Sequence, residues 1–546
     1  MIERLRAQSR RWAIFACLLP PLAAVVFVQL FASPLPLTDE WTYTHALREM
    51  HQIDNRAPGT EASWLSLYPT RHNDHLVILP FLIYAPLMEW LHYDSRWIIW
   101  LTLIAFAGQA MILRRFENES KWVLFPLVLL LFSPAHYMEF LWGWQITLTW
   151  SVLFPLLGLW LLSRNSDRAS VRGHWRVPVL AVLCITLGTL SSAGGFLGFP
   201  AALIIVGLGP QTRREKITGC SLLLVSAVLI YITLMRSENT ELSFGVREFW
   251  YICTALGAAL WGSPVSLTEF GWSALSTGGL LIIIATSTLI LRAIATGRLS
   301  ELRGPLGVTA FGFMCVATIA MSRPYLGNWH AQYALPALSG AFLIGLRIRR
   351  GDPSLWAKVP ATVITLTLLS TFWGYLSGFT KRGPEYHQYI ENIEEFSRLV
   401  LVEPWRGRPY PPQHPERDMD IDLVLFLAAH DHPTFRLKTA SLPQEPLPEF
   451  SHLWIDGKPH EFTTKIDSPS AGMLRVVVGF PPRDDAVALL GRIGSHKYLL
   501  YRIHPDHVPD IDAPPHTHFY AADIMGHDLN SEPALPEFTL LRRKSD

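Results

Sequence analysis

Apolar runs of bilayer length recur along the first 378 residues, separated by short polar segments rich in arginine. A helix needs about 20 residues to cross a hydrocarbon core. The runs that meet this need approximately are 12–31, 96–113, 121–136, 145–163, 176–190, 194–209, 216–235, 274–292, 305–322, 330–347 and 358–378. The pattern therefore predicts a polytopic α-helical membrane protein with about eleven transmembrane helices. Two further apolar stretches, 75–91 and 247–262, are read differently. Pro80 and Pro86 weaken the first as a spanning helix. If it crossed, Arg164, Arg168, Arg172 and Arg176 would face outward and the basic bias of most later loops would invert. It is read as a juxtamembrane helix, and 247–262 is placed at the outer surface on the same parity.

With that assignment the inner segments hold 21 Lys and Arg, beginning with Arg4, Arg6, Arg10 and Arg11. The outer loops before the tail hold six: Arg48, Arg56, Arg71, Arg236, Arg247 and Arg323. Basic residues stay on the cytoplasmic side. The N-terminus is expected in the cytoplasm, with Trp12–Phe31 as an uncleaved first span. Residues 379–546 are expected outside. This tail is polar and proline-rich. Helical spacing of Tyr386, Tyr389, Ile393, Phe396 and Val400 predicts a helix at its start, and 419–430 predicts another. Beyond about 449, Leu474–Val478 and Tyr498–Tyr501 read as strands, with Asp456-Gly457 as a turn. The expected division is a transmembrane domain over 1–378, including a first outer loop over 32–95, and an outer α+β domain over 379–546.

Composition agrees with the pattern. Half of the 546 residues are apolar, mean hydropathy is +0.24, and 17% are charged, below the quarter usual in soluble chains. Net charge is +1, so no overall field argues for nucleic acid. The five cysteines all fall in apolar segments without CxxC spacing, which predicts neither disulfides nor a thiolate metal site.

Candidate chemistry gathers in the first outer loop. Asp39 and Glu40 open it, and His72, Asp74 and His75 close it. A carboxylate at the membrane edge can take a proton from an acceptor hydroxyl. It can equally cap an interfacial helix. The histidine and aspartate cluster has the residue types of a hydrogen-bonded junction or of a substrate contact. With Asp39 and Glu40, His72 and His75 also have the ligand types of a divalent-metal site, although the spacing fits no fixed metal motif. Arg323 is the one charge in the loop 321–330. It suits either lipid headgroups or a donor phosphate, with Tyr333 beside it in sequence. Glu139 and Gln145 are further outer-facing candidates for donor or acceptor binding. The turn Ser191–Gly195 carries glycines that allow close approach.

These features together resemble bacterial GT-C membrane glycosyltransferases, in particular the protein-mannosyltransferase-like and arnT-like branch. The residues that carry the resemblance are a short basic N-terminus, one span, and an outer loop that begins with Asp39-Glu40. A histidine motif, His72-Asn73-Asp74-His75, then precedes a juxtamembrane helix, and a span follows that ends in Arg114-Arg115. The resemblance covers residues 1 to about 380. It implies an inverting hexosyl- or pentosyltransferase in the inner membrane of a bacterium, using a polyprenyl-phosphate sugar as donor at the periplasmic face. The acceptor would be an envelope glycan, lipid or protein. Asp39 would be the base and Arg323 a contact to donor phosphate. A lipid-linked glycan transporter or flippase is the main alternative, and a non-catalytic scaffold is another. A transporter would place ionisable residues deep in several spans.

Overall fold

The computed structural model describes residues 2–36, 39–40, 43–44, 46–47, 71–72, 75–117, 123–164, 176–235, 244–264 and 266–391, together with nine strands between 408 and 542. In this structure the protein is a polytopic helical protein. Among the described residues, nine helices are long and apolar enough to cross a membrane. They account for nine of the eleven expected spans. The other two fall on Arg176–Ser191 and Ala193–Leu208, which are apolar but shorter. The chain divides into two units. The first takes Met1–Ser33, Glu61–Met88 and Ser95–His387, and the second takes Pro34–Thr60, Glu89–Asp94 and Gln388–Asp546.

The first unit is a helical assembly. In chain order its helices are α1 (Ile2–Phe31), α2 (Ile78–Trp90, whose last two residues fall to the other unit), α3 (Arg96–Arg115), α4 (Leu124–Leu131), α5 (Tyr137–Leu141) and α6 (Ile146–Arg164). Then come α7 (Arg176–Ser191), α8 (Gly198–Leu208), α9 (Arg213–Ile230), α10 (Val246–Trp261), α11 (Ala274–Ala295), α12 (Arg303–Ser322), α13 (Ala331–Gly351), α14 (Leu355–Leu369) and α15 (Phe372–Ser377). Its exterior is apolar. Ile14, Phe15 and Leu18 of α1 and Val225, Val228 and Leu229 of α9 are exposed. Such a belt belongs against lipid, since backbone groups are satisfied inside each helix.

The centre is α13, whose every residue from Ala331 to Gly345 is buried. Small residues make that possible. A methyl group on Gly312 of α12 would strike the Ala337 backbone, and one on Gly340 would strike Thr309. The two helices therefore pack backbone to backbone, as membrane helices with small interfacial residues do.

The stretch 247–262, placed on the outer side by parity, is a helix packed among its neighbours. As α10 it is enclosed, with every residue from Tyr251 to Leu260 buried. Gly257 lies against the Leu275 carbonyl, and the Cys253 carbonyl lies against Gly279. Apolar run length alone does not separate a surface helix from an interior one, and the Ala/Gly content decides here.

At one end of the unit, arginines gather. Arg347 and Arg350 both pair with Glu117, Arg292 holds Asp352 at 2.6 Å, and Arg303 donates to the Ser163 carbonyl at 2.9 Å. The Arg292 guanidinium, followed by Ser354, holds the Asp352 carboxyl well below the usual range.

Strands β1 (Arg71–His72) and β2 (His75–Leu76) pair antiparallel just ahead of α2, with His72 opposite His75. Strands β3 (Ser266–Leu267) and β4 (Leu326–Gly327) form a second short pair. In the other unit, β5 (Arg408–Pro409), β6 (Gln444–Pro446), β7 (His452–Ile455), β8 (Lys458–His460) and β9 (Met473–Phe480) precede β10 (Ala486–Ile493), β11 (His496–Ile503), β12 (His518–Met525) and β13 (Pro536–Arg542). They make one antiparallel sheet in the order β6-β13-β10-β11-β12-β9-β7-β8, with β5 also paired to β12. The expected strands at 474–478 and 498–501 are β9 and β11, and β7 and β8 flank the expected turn at 456–457. The expected helix at 419–430 lies outside the described residues, as does the expected one at 386–400 beyond Glu391.

Candidate functional site

The first unit has a break in its helical regularity between α4 and α6. α4 stops after eight residues. Pro134–His136 and Gly143–Gln145 are single 3-10 turns on either side of the five-residue α5. Ser133 starts this segment by accepting from the Ala135 N–H at 3.2 Å, and Pro134 supplies the fixed backbone angle that a first turn tolerates.

The break lies beside the middle of α3. The Phe106 ring meets Phe132 at 6.1 Å and Phe140 at 5.3 Å. α3 continues ten residues back from there to Arg96, or ~15 Å at helical rise. Gln109 donates to the Thr149 carbonyl at 3.0 Å and ties α6 to the same level. Irregular backbone at membrane depth is tolerated only where protein encloses it or where it lines a cavity.

Asn328 holds the break together. Its side-chain oxygen accepts from the Met138 N–H at 3.3 Å, while its amide donates to the Ala135 carbonyl at 3.1 Å and the Ser263 hydroxyl at 3.3 Å. Three segments thus meet on one side chain. Gly262, at φ +84, lets α10 end against Ala135. Gly374 and Gly378 let the α15 segment pass against Ser133 and Pro134.

Glu139 sits in this node on α5. It is 0% exposed, and neither carboxylate oxygen has a hydrogen-bond partner among the described residues. Both side-chain polar atoms of Gln145 are in the same condition, and so are those of Gln332, on the first turn of α13. Buried polar groups almost always find partners. Glu139, Gln145 and Gln332 lie on segments joined through Asn328, and each offers polar atoms not used within the described residues. Glu139 also lies within electrostatic range of Tyr333.

Tyr333 is locked in place. Ser151 gives its own proton to the Leu148 carbonyl at 2.7 Å, so the Tyr333 hydroxyl donates to Ser151 at 3.1 Å and accepts from Ser192 at 3.1 Å. Its ring covers Gly194, where a methyl group would collide with it. The glycine turn is thus occupied by a side chain of the protein itself.

No family model matches this chain, and no curated protein does either.

Arg323 caps α12 in extended backbone and is half-buried. Arg247 organises its loop by donating to the Arg323 carbonyl at 3.2 Å and the Pro324 carbonyl at 2.7 Å. Tyr251 donates to the Tyr325 carbonyl at 3.1 Å and lies 3.2 Å from His330 Nδ1. That nitrogen also accepts from the Gly327 N–H at 3.1 Å, which leaves the proton of a neutral His330 on Nε2. Burial pushes the Tyr251 phenol well above its ordinary range, so it stays a donor at neutral pH.

Asp39 and Glu40 belong to the other unit. Asp39 is partly exposed at a turn. Glu40 opens a helical stretch, is fully buried, and its carbonyl accepts from the Thr44 hydroxyl at 3.1 Å. Both have interaction partners. His72 and His75 are described as paired strand residues, and their side chains, with the whole of Asp74, lie outside the described residues.

The structure therefore brings Glu139, Gln145 and Tyr333 into one helical unit with Arg323. Sequence reasoning missed Gln332, Asn328 and His330 as parts of the node. The available signal was a run of polar side chains, Asn328, His330 and Gln332, at the mouth of an otherwise apolar segment.

Proposed function

We propose that the protein is a GT-C-type inverting glycosyltransferase, which moves a sugar from a polyprenyl-phosphate donor to an acceptor at the periplasmic face of the inner membrane. The observation that supports the reading is the enclosed, unpartnered carboxylate of Glu139 at an irregular break in a polytopic helical unit. Sugars present many hydroxyls, and an enclosed carboxylate without a hydrogen-bond partner among the described residues is suited to receive them. The acceptor hydroxyl attacks the anomeric carbon, the bond to the donor phosphate breaks on the opposite face, and configuration inverts. A carboxylate takes the hydroxyl proton, the role the resemblance gives Asp39, and a guanidinium steadies the departing phosphate, the role it gives Arg323. His72, Asp74 and His75 are candidates for further donor and acceptor contacts, and so are Gln145 and Tyr333 at the node.

One observation favours the transporter alternative: Glu139 lies within the candidate span Leu124–Leu141, and an ionisable group there also suits a translocation path. Transfer of labelled sugar from polyprenyl-phosphate donors, measured in membranes, separates the two. Glu139→Gln keeps size but removes the charge, and should lower transfer roughly ten- to hundredfold, the loss of a hydrogen bond to a charged group. A wild-type rate in that variant removes Glu139 from the site. Donor translocation by the wild type without any sugar transfer would replace the enzyme with the transporter.

A further inference from the structure

The arginine end of the first unit carries an arrangement that this reading leaves unused. α3 finishes in Arg114-Arg115, and α6 finishes at Arg164. The guanidinium carbons of Arg115 and Arg164 each lie 5.2 Å from the centroid of the Trp160 ring. Both arginines are exposed. The neighbouring cations are committed elsewhere, Arg347 and Arg350 to Glu117 and Arg303 to the Ser163 carbonyl. Among the described residues, no carboxylate pairs with Arg115 or Arg164.

Two like charges on one indole repel each other. Each cation–π contact returns only a modest attraction at an exposed site. An anion held by both guanidiniums reverses the sign of that balance. The indole N–H is buried and donates to nothing among the described residues, so the ring is placed as a stacking platform rather than by its own hydrogen bond. Contact with one ring brings both guanidiniums to the same indole, and guanidinium edges match phosphate oxygens in pairs.

We propose that Arg115, Trp160 and Arg164 form a binding site for the phosphate of an anionic phospholipid headgroup. A lipid is favoured over soluble phosphate by position. Each arginine is the last residue of a candidate membrane span, Arg96–Arg115 and Gly143–Arg164, which sets both at headgroup depth. Basic pockets between spans on the arginine-rich side are where such headgroups bind. The site does not depend on the transferase reading.

Native mass spectrometry of the full-length protein in detergent tests it, with phosphatidylglycerol, phosphatidylcholine and inorganic phosphate as separate additions. The wild type should retain phosphatidylglycerol over phosphatidylcholine, and inorganic phosphate at equal concentration should not displace it. Arg115→Gln with Arg164→Gln should lower retention about tenfold. The matching lysine pair, which keeps charge and folding but loses the planar fork, should fall between. Arg349→Gln, an exposed arginine at the same end, should change nothing. Equal loss in Arg349→Gln would reduce the site to general charge. Undiminished retention in the glutamine pair, or displacement by inorganic phosphate, would overturn the assignment, and if the glutamine pair misfolds, wild-type retention in the lysine pair does so.

Discussion

Adjacent acids need not share a role. Asp39 and Glu40 follow each other, yet Glu40 is fully enclosed and Asp39 is partly open. With one acid enclosed and the other open, one of the two at most faces a substrate that arrives from solvent. If Asp39 is the base, Asp39→Asn should lower sugar transfer by about 10²–10⁴-fold while leaving expression intact. Glu40→Gln should instead show mainly in stability, because it changes a buried group. Transfer rates beside thermal unfolding of each purified variant check this. An active Asp39→Asn together with a folded but inactive Glu40→Gln moves the role by one residue.

Short elements hold the node where long ones cannot. α5 is five residues long, too short to be stable on its own, and its position rests on contacts from elsewhere. Asn328 supplies a decisive one through Met138 and Ala135. Asn328→Ala leaves a buried N–H and a buried carbonyl without partners, which costs on the order of 1–3 kcal/mol for each group left unsatisfied. The expected result is a lower unfolding temperature and faster amide exchange at Met138, with α3 and α11 exchanging as before. Unchanged exchange at Met138 would show that α5 is held by its neighbours' packing alone.

At the scale of the first unit, the arginine end and the Arg323 loop mark opposite ends of α12 and α13. α12 runs from Arg303, bonded at the arginine end, to Arg323 in the node's loop, and α13 returns to Arg350. Basic residues favour the cytoplasm, so the arginine end is expected there, with the tail on the far side. Reporter fusions at Asp167 and Pro415 test this orientation. Cytoplasmic reporter activity at Asp167 and periplasmic activity at Pro415 are expected, and the reverse pattern would invert the protein in the membrane.

The sequence by itself determined that the chain crosses a membrane many times. Run length and hydropathy carry that information locally, as 96–115, 274–295 and 355–378 show. It also marked β9 and β11, because short runs rich in β-branched and aromatic residues reveal a strand without reference to its neighbours. Only the tertiary structure decided that 247–262 lies inside the unit, since helix burial depends on which small residues meet across an interface. Only the tertiary structure decided, too, that Tyr333 covers the 191–195 turn and that Glu139 is enclosed beside the middle of α3. Those facts depend on contacts such as Asn328 with Met138, 190 residues apart in sequence, and no local pattern of hydrophobic and polar residues encodes a partner at that distance.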